Sequence, residues 1–296
     1  MFLQNAFEPA LFEQWLREKK QIKELSIYIY MQVARKFVTE YDDIEDLESY
    51  NNFLIKYSIK GKAYHYYAAL KKFIEYKITD ASQRNKMLEG LVKTEMNQNK
   101  KERKHLEEKE MIKIINNLEH PKHKIIAIIQ ETTGVRAGDI LRLKRGNIVP
   151  EIYEDKNVLK LVIYGKGNKK NVVYIHDENI QILIIDHVVK NFVNEEYYFM
   201  EKIKGKNKDF NADRLYIRNY GKYYRDTKQA IQRAGYDTED FATHDYRRCY
   251  ARRVWTKYKD IHILQELLNH QNPATTMLYL KTSGLKNIDY HKQMQS

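Results

Sequence analysis

A chain of 296 residues is long enough for two domains of the usual ~100–200 residues, and its single cysteine, Cys249, excludes an internal disulfide. No apolar run approaches the ~20 residues that span a bilayer, and no secretory apolar segment stands at the N-terminus, so a soluble, cytoplasmic protein without a membrane role is expected. Lys and Arg number 52 against 40 Asp and Glu, and the resulting charge of +12 favours polyanionic partners, because pairing with phosphates releases counterions.

Helical periodicity runs through residues 8–92. Leu11, Phe12, Trp15 and Leu16 form the first apolar stripe, and Ser26 is placed to cap a second helix carrying Ile29, Val33, Phe37 and Val38. Leu47, Tyr50, Phe53, Leu54 and Tyr57 mark a third helix that ends before Gly61. Residues 62–76 make a fourth, with tyrosines and lysines interleaved, and 85–91 a short fifth. The pattern predicts a helical bundle over 1–92. The run KTEMNQNKKER that follows is polar, basic and without apolar periodicity, which predicts an exposed linker over 93–105.

A second domain is expected over 106–296. It opens with a helix over 106–118 and an apolar helix begun at Pro121. Residues 158–164 and 172–175 are β-rich, and 165–171 join them as a hairpin. Helices follow over 179–192, 219–234, 244–258 and 261–268, and Pro273 starts a short helix that bears Tyr279. The fold class is mainly α with a small antiparallel β-sheet.

The chemistry concentrates in a few positions of this second domain. His244 and Arg247 lie one helical turn apart and share a face, and an imidazole beside a guanidinium fork suits an anion, a phosphate above all. Arg136 follows a Thr-Thr-Gly turn and opens an amphipathic helix, where free N–H groups and the helix dipole also favour an anion. His270 closes an apolar run, and Tyr279 stands nine residues beyond it. A tyrosine hydroxyl, with a reference pKa of about 10, needs a base or a cationic field to become a nucleophile, and these groups supply both. Two arginines around a phosphodiester would stabilise its pentacoordinate transition state without any metal or cofactor.

Four boxes together resemble the tyrosine recombinases, the family of phage integrases and Xer-type resolvases. They are Thr133-Gly134-Val135-Arg136 with Asp139; Tyr164-Gly165-Lys166-Gly167-Asn168-Lys169-Lys170; His244-Asp245-Tyr246-Arg247; and Leu267-Leu268-Asn269-His270 followed by Thr275, Thr276 and Tyr279. The resemblance spans about 106–281. It implies an N-terminal core-binding domain that grips DNA and a catalytic domain that cleaves and rejoins strands through a 3′-phosphotyrosyl ester. It further implies an inverted-repeat site in double-stranded DNA and a homotetramer on two duplexes. Tyr279 would be the nucleophile, Arg136 and Arg247 the phosphate clamp, His244 the base or proton shuttle and His270 a donor to the scissile phosphate. Lys166 would be the general acid, with Lys169 and Lys170 as alternatives, and Asp139 would orient Arg136. The same chemistry also serves a topoisomerase IB-like nicking-closing enzyme, and the same scaffold a non-catalytic DNA-binding regulator. Three positions depart from the family pattern: Asn269 replaces a Gly, Arg248 a His, and Gly138 a Ser or Thr.

Overall fold

The computed structural model describes residues 7–57, 63–93, 106–144, 146–165, 169–190, 197–201 and 212–281. Two compact units divide the chain at Lys101 and Glu102.

The first unit is a bundle of α1 (Pro9–Glu18), α2 (Glu24–Glu40), α3 (Leu47–Tyr57), α4 (Ala63–Lys77) and α5 (Ala81–Gly90). Pro9 presets φ for the first turn of α1, and the Asp46 carboxylate accepts from the Ser49 backbone N–H at 2.8 Å to start α3. Ser26 does not cap α2. The helix starts three residues earlier, behind Lys23, with Glu24 in its first turn facing the helix dipole and paired to Arg17 at 2.7 Å. Likewise α5 begins before the expected residue 85, because Asp80 accepts from the Gln83 N–H at 2.7 Å. The core is aromatic: Phe12 meets Phe73 edge-on at 5.4 Å, and Phe37 meets Phe53 at 5.4 Å. Such pairs add about 0.5–1.5 kcal/mol each beyond their buried area.

The second unit opens with α6 (Glu108–Asn116), held by a reciprocal capping box of Glu107 and Glu110, then α7 (Pro121–Thr133) and α8 (Ala137–Leu141). α7 is the central helix. Ile125, Ile126, Ala127 and Ile129 are all buried, so it is packed on every side rather than along one stripe.

A sheet of β1 (Ile148–Tyr153), β2 (Lys156–Tyr164) and β3 (Lys170–Ile175) follows, antiparallel in the order β1-β2-β3. β1 is absent from the sequence reading. Its hairpin closes on Tyr153 opposite Lys156, with Glu154 at φ 48° and Asp155 at φ 59°, the paired left-handed residues of a tight hairpin turn without the usual Asn-Gly signal. Pro150 also argues against a strand, but β1 is an edge, where a missing N–H removes no central ladder bond. In β2, Leu159, Leu161 and Ile163 alternate into the core.

The unit continues with α9 (Glu178–Lys190), α10 (Ala212–Arg233), α11 (Asp245–Tyr258), α12 (Ile261–Leu267) and α13 (Pro273–Lys281). α10 starts seven residues before the expected 219, with Leu215 buried in its first turn. Among the described residues, no helix is long and apolar enough to cross a membrane.

Candidate active site

α7 ends on Gly134, whose φ of 71° lies in the left-handed region. A Cβ there would also drive into the Tyr250 ring, so only glycine serves both the turn and the packing. The chain then reaches Arg136, the N-cap of α8, whose guanidinium stays partly exposed and 4.0 Å from Asp139. Burial pushes the Asp139 carboxyl up, against the charges of Arg136, Arg142 and Arg247. Gly138, one of the departures, is explained here. Its missing side chain admits the Tyr216 hydroxyl, which a Cβ would meet at 2.6 Å, and Arg142 stacks over the same ring at 3.6 Å.

α11 is anchored through a buried relay. Tyr223 on α10 donates to Gln130 on α7 at 2.8 Å, and Gln130 donates to the Thr243 carbonyl at 3.2 Å, one residue before His244. One turn along α11, Arg247 is only 3% exposed. Its guanidinium donates to the Gly134 carbonyl, to the Leu268 carbonyl at 2.6 Å and to His270 Nε2 at 2.9 Å, while its buried Nε has no protein partner. The fork therefore joins the ends of α7 and α12 and keeps a donor in reserve. Arg248, the second departure, pairs with Asp245 at 2.7 Å, leaving the turn below His244 tied together.

His270 is held by backbone geometry. Past α12, Asn269 has φ 50°, its N–H bonds Glu266 at 2.8 Å, and the His270 N–H bonds Gln265 at 3.0 Å, the paired closing bonds of a Schellman turn. The third departure is thereby accounted for, since asparagine is the residue that best replaces glycine in the left-handed region. The His270 ring lies 5.2 Å from the Tyr279 ring on α13, and Arg247 lies 5.9 Å from that ring. His270 Nδ1 is 3.0 Å from the Thr276 hydroxyl. Thr276, named in the fourth box without a role, is fully buried, six residues after His270 and on the turn before Tyr279.

Arg136, His244, Arg247, His270 and Tyr279 thus converge electrostatically. His244 is accessible at the surface yet closely flanked by protein, so desolvation and then Arg248, Arg247 and Arg136 lower its pKa. His270 is pushed down to about 4 by burial and by the charges of Arg247 and Arg136. Both imidazoles are neutral near pH 7. Lys166 lies outside the described residues. Its neighbour Gly165 donates its N–H to the Lys169 carbonyl at 2.9 Å, with its Cα side turned toward Asp139. Lys169 precedes β3 and Lys170 begins it, paired across the ladder with Tyr164.

The His270 shift carries a stability prediction. The unfolded chain takes up this proton near 6.5 and the native protein only near 4, so the unfolded state binds more protons in between. Stability contributed here is complete above about pH 6.5 and falls toward pH 4, by on the order of 3 kcal/mol. Thermal melts at pH 7 and pH 5 should show a smaller loss for His270→Gln than for wild type. Equal losses would remove His270 as the source.

Elsewhere, His120, His123 and Asp226 form the one cluster with metal-ligand spacing among the described residues. Asp226 is already engaged by His123 at 2.7 Å, Arg233 at 3.3 Å and the N–H groups of Glu119 and His120. It pins the loop before α7 to α10. In the first unit, a surface groove of about 610 Å³ is lined by Lys19, Lys20, Lys72 and Arg84 beside Trp15, with Glu75 the one carboxylate.

A helical domain with a three-stranded sheet thus brings two arginines, two histidines and a tyrosine within electrostatic reach of one another. The profile of the Phage integrase family matches residues 104–284, and the chain belongs to that family. It is similar to the tyrosine recombinase XerA of Pyrococcus horikoshii, 26% identical over 61% of this chain and 57% of that protein. It is similar also to the tyrosine recombinase XerD of Rickettsia prowazekii, 26% identical over 54% of this chain and 51% of that protein. The chain spans about half the length of these relatives. Among solved structures, the XerH site-specific recombinase bound to palindromic difH substrate, a post-cleavage complex, superposes with a TM-score of 0.60 at 19% identity, covering 98% of this chain and 86% of that one. At that identity the likeness is one of fold.

Proposed function

We propose that the chain is a site-specific DNA recombinase that cleaves and rejoins double-stranded DNA through a 3′-phosphotyrosyl intermediate. The observation that carries this reading is the buried Arg247 fork, which gathers the Gly134 turn, His270 and Tyr279 at one point with a guanidinium N–H unspent. The Tyr279 oxygen attacks phosphorus, and its proton passes to His244, whose lowered pKa keeps the ring neutral and able to accept. Arg136 and Arg247 hold the non-bridging oxygens, and His270 donates to one of them. The P–O5′ bond breaks, and the 5′ oxygen takes its proton from Lys166. Because the ester conserves the phosphodiester's energy, a 5′-hydroxyl from a partner strand reverses the attack without a nucleotide cofactor.

The natural substrate in this reading is an inverted-repeat site, bound by protomers that assemble as a tetramer on two duplexes. The basic groove of the first unit supports DNA contact by the helical bundle. The buried free thiol of Cys249 and a DNA substrate support a cytoplasmic setting, in dimer resolution or in integration and excision of a mobile element.

The test is capture of SDS-resistant adducts from a supercoiled genomic library, with sequencing of the trapped ends. Adducts clustered at one inverted repeat are the expected result. Adducts scattered without preference would replace recombination with nicking-closing activity, and salt-sensitive binding with no adduct would leave a regulator.

A further inference from the structure

The ring of His270 has two neighbours that are not equivalent. Arg247 has only donors, so at 2.9 Å it can meet Nε2 only if Nε2 is bare and accepts. The neutral ring then carries its proton on Nδ1, which donates to the Thr276 hydroxyl at 3.0 Å. In this tautomer His270 has nothing to give a phosphate from Nε2. The role assigned above requires the opposite one, with the proton on Nε2. Of the two neighbours, only Thr276 suits both states, because a hydroxyl accepts from Nδ1–H and, after rotation about its C–O bond, donates to a bare Nδ1.

We propose that Thr276 is a positioning residue that holds the His270 ring in place through a change of tautomer, from Nδ1–H in the free protein to Nε2–H when a phosphate occupies the site. The inference rests on the proposed phosphate-binding role of His270. A phosphate oxygen draws the Arg247 N–H away from Nε2. Nε2 then gains a proton from water as Nδ1 releases one to water, so the ring stays neutral and no net proton is consumed. The Thr276 hydroxyl turns over without moving its Cα. Its full burial keeps the hydroxyl beside Nδ1 in both tautomers. His270 is itself 7% exposed and seated on the Schellman turn, so the exchange needs no backbone movement.

Nitrogen-15 chemical shifts of labelled histidine, assigned with His270→Gln, read the tautomer directly in the full chain. The free protein should show Nδ1–H, and addition of inorganic phosphate should convert the signal to Nε2–H. Nε2–H in the free protein, an imidazolium with phosphate, or Nδ1–H retained at saturating phosphate would each overturn the proposal.

Adduct formation on the supercoiled library gives the second readout. Thr276→Val should slow it about 10- to 100-fold, the range expected when the partner of a functional histidine is removed, with a lowered melting temperature because the buried Nδ1 loses its partner. Thr276→Ser should recover most of the loss. His270→Ala separates the two layers: if it reacts at the wild-type rate, the reading of the site fails. If it is slowed while Thr276→Val matches wild type, the site stands and the tautomer device fails.

Discussion

Tyr279→Phe is expected to abolish covalent attachment to DNA completely while DNA binding and melting temperature stay at wild-type values. The substitution removes one oxygen and its interaction with the Arg247 guanidinium, while the ring contacts, 5.2 Å from His270 and 5.9 Å from Arg247, survive in phenylalanine. The ring contact with His270 is kept, so the loss reports on the hydroxyl. The chain holds 24 tyrosines, and Tyr250, Tyr258 and Tyr290 lie in the same stretch of sequence. Tyr250 is committed to the Gly134 turn, and Tyr258 is an exposed residue at the end of α11. Denaturing gels of protein mixed with the supercoiled library provide the measurement. An adduct of normal yield from the Phe variant would move the nucleophile to another residue and undo the proposed mechanism.

Arg247→Lys should cut adduct formation by about 100- to 1000-fold, the usual consequence of losing one fixed donor to a developing oxyanion. Charge is conserved in this variant, so the effect isolates the fork. A single ammonium cannot reach the Gly134 carbonyl, the Leu268 carbonyl and His270 together, and those acceptors lie in a buried site. Each orphaned acceptor costs about 1–3 kcal/mol, so the melting temperature should fall as well. Arg136 sits in the opposite regime. It is partly exposed and its nearest carboxylate is 4.0 Å away, so Arg136→Lys should leave the melting temperature nearly unchanged. Normal adduct formation and normal stability in Arg247→Lys would show that the fork neither builds the site nor serves it.

Much of the molecule was legible along the chain. The apolar stripes placed every helix of the first unit, and the boxes brought Arg136, His244, Arg247, His270 and Tyr279 into one hypothesis before any geometry was known. Helix starts were less legible. Ser26 is a good cap by type, but Glu24 and its Arg17 pair pull the start of α2 three residues earlier. β1 was invisible because its turn takes Glu154 and Asp155 into the left-handed region without glycine, and because Pro150 is harmless only at an edge.

Periodicity, caps and turn residues are local signals, read within a few residues of each other, and they determined the mainly helical class and the order of most elements. Tertiary structure alone decided what those side chains can do. Arg247 meets the carbonyl of Gly134, 113 residues away, and that contact, with the Leu268 carbonyl and His270, buries a guanidinium whose burial and partners no spacing along the chain foretells. His270 receives its tautomer from one donor on α11 and one hydroxyl on α13. Gly138 owes its small size to a tyrosine on α10. Hydrogen-bond partners, burial and the resulting pKa shifts are set by groups that only folding brings together, and no spacing along the chain encodes the distance between them.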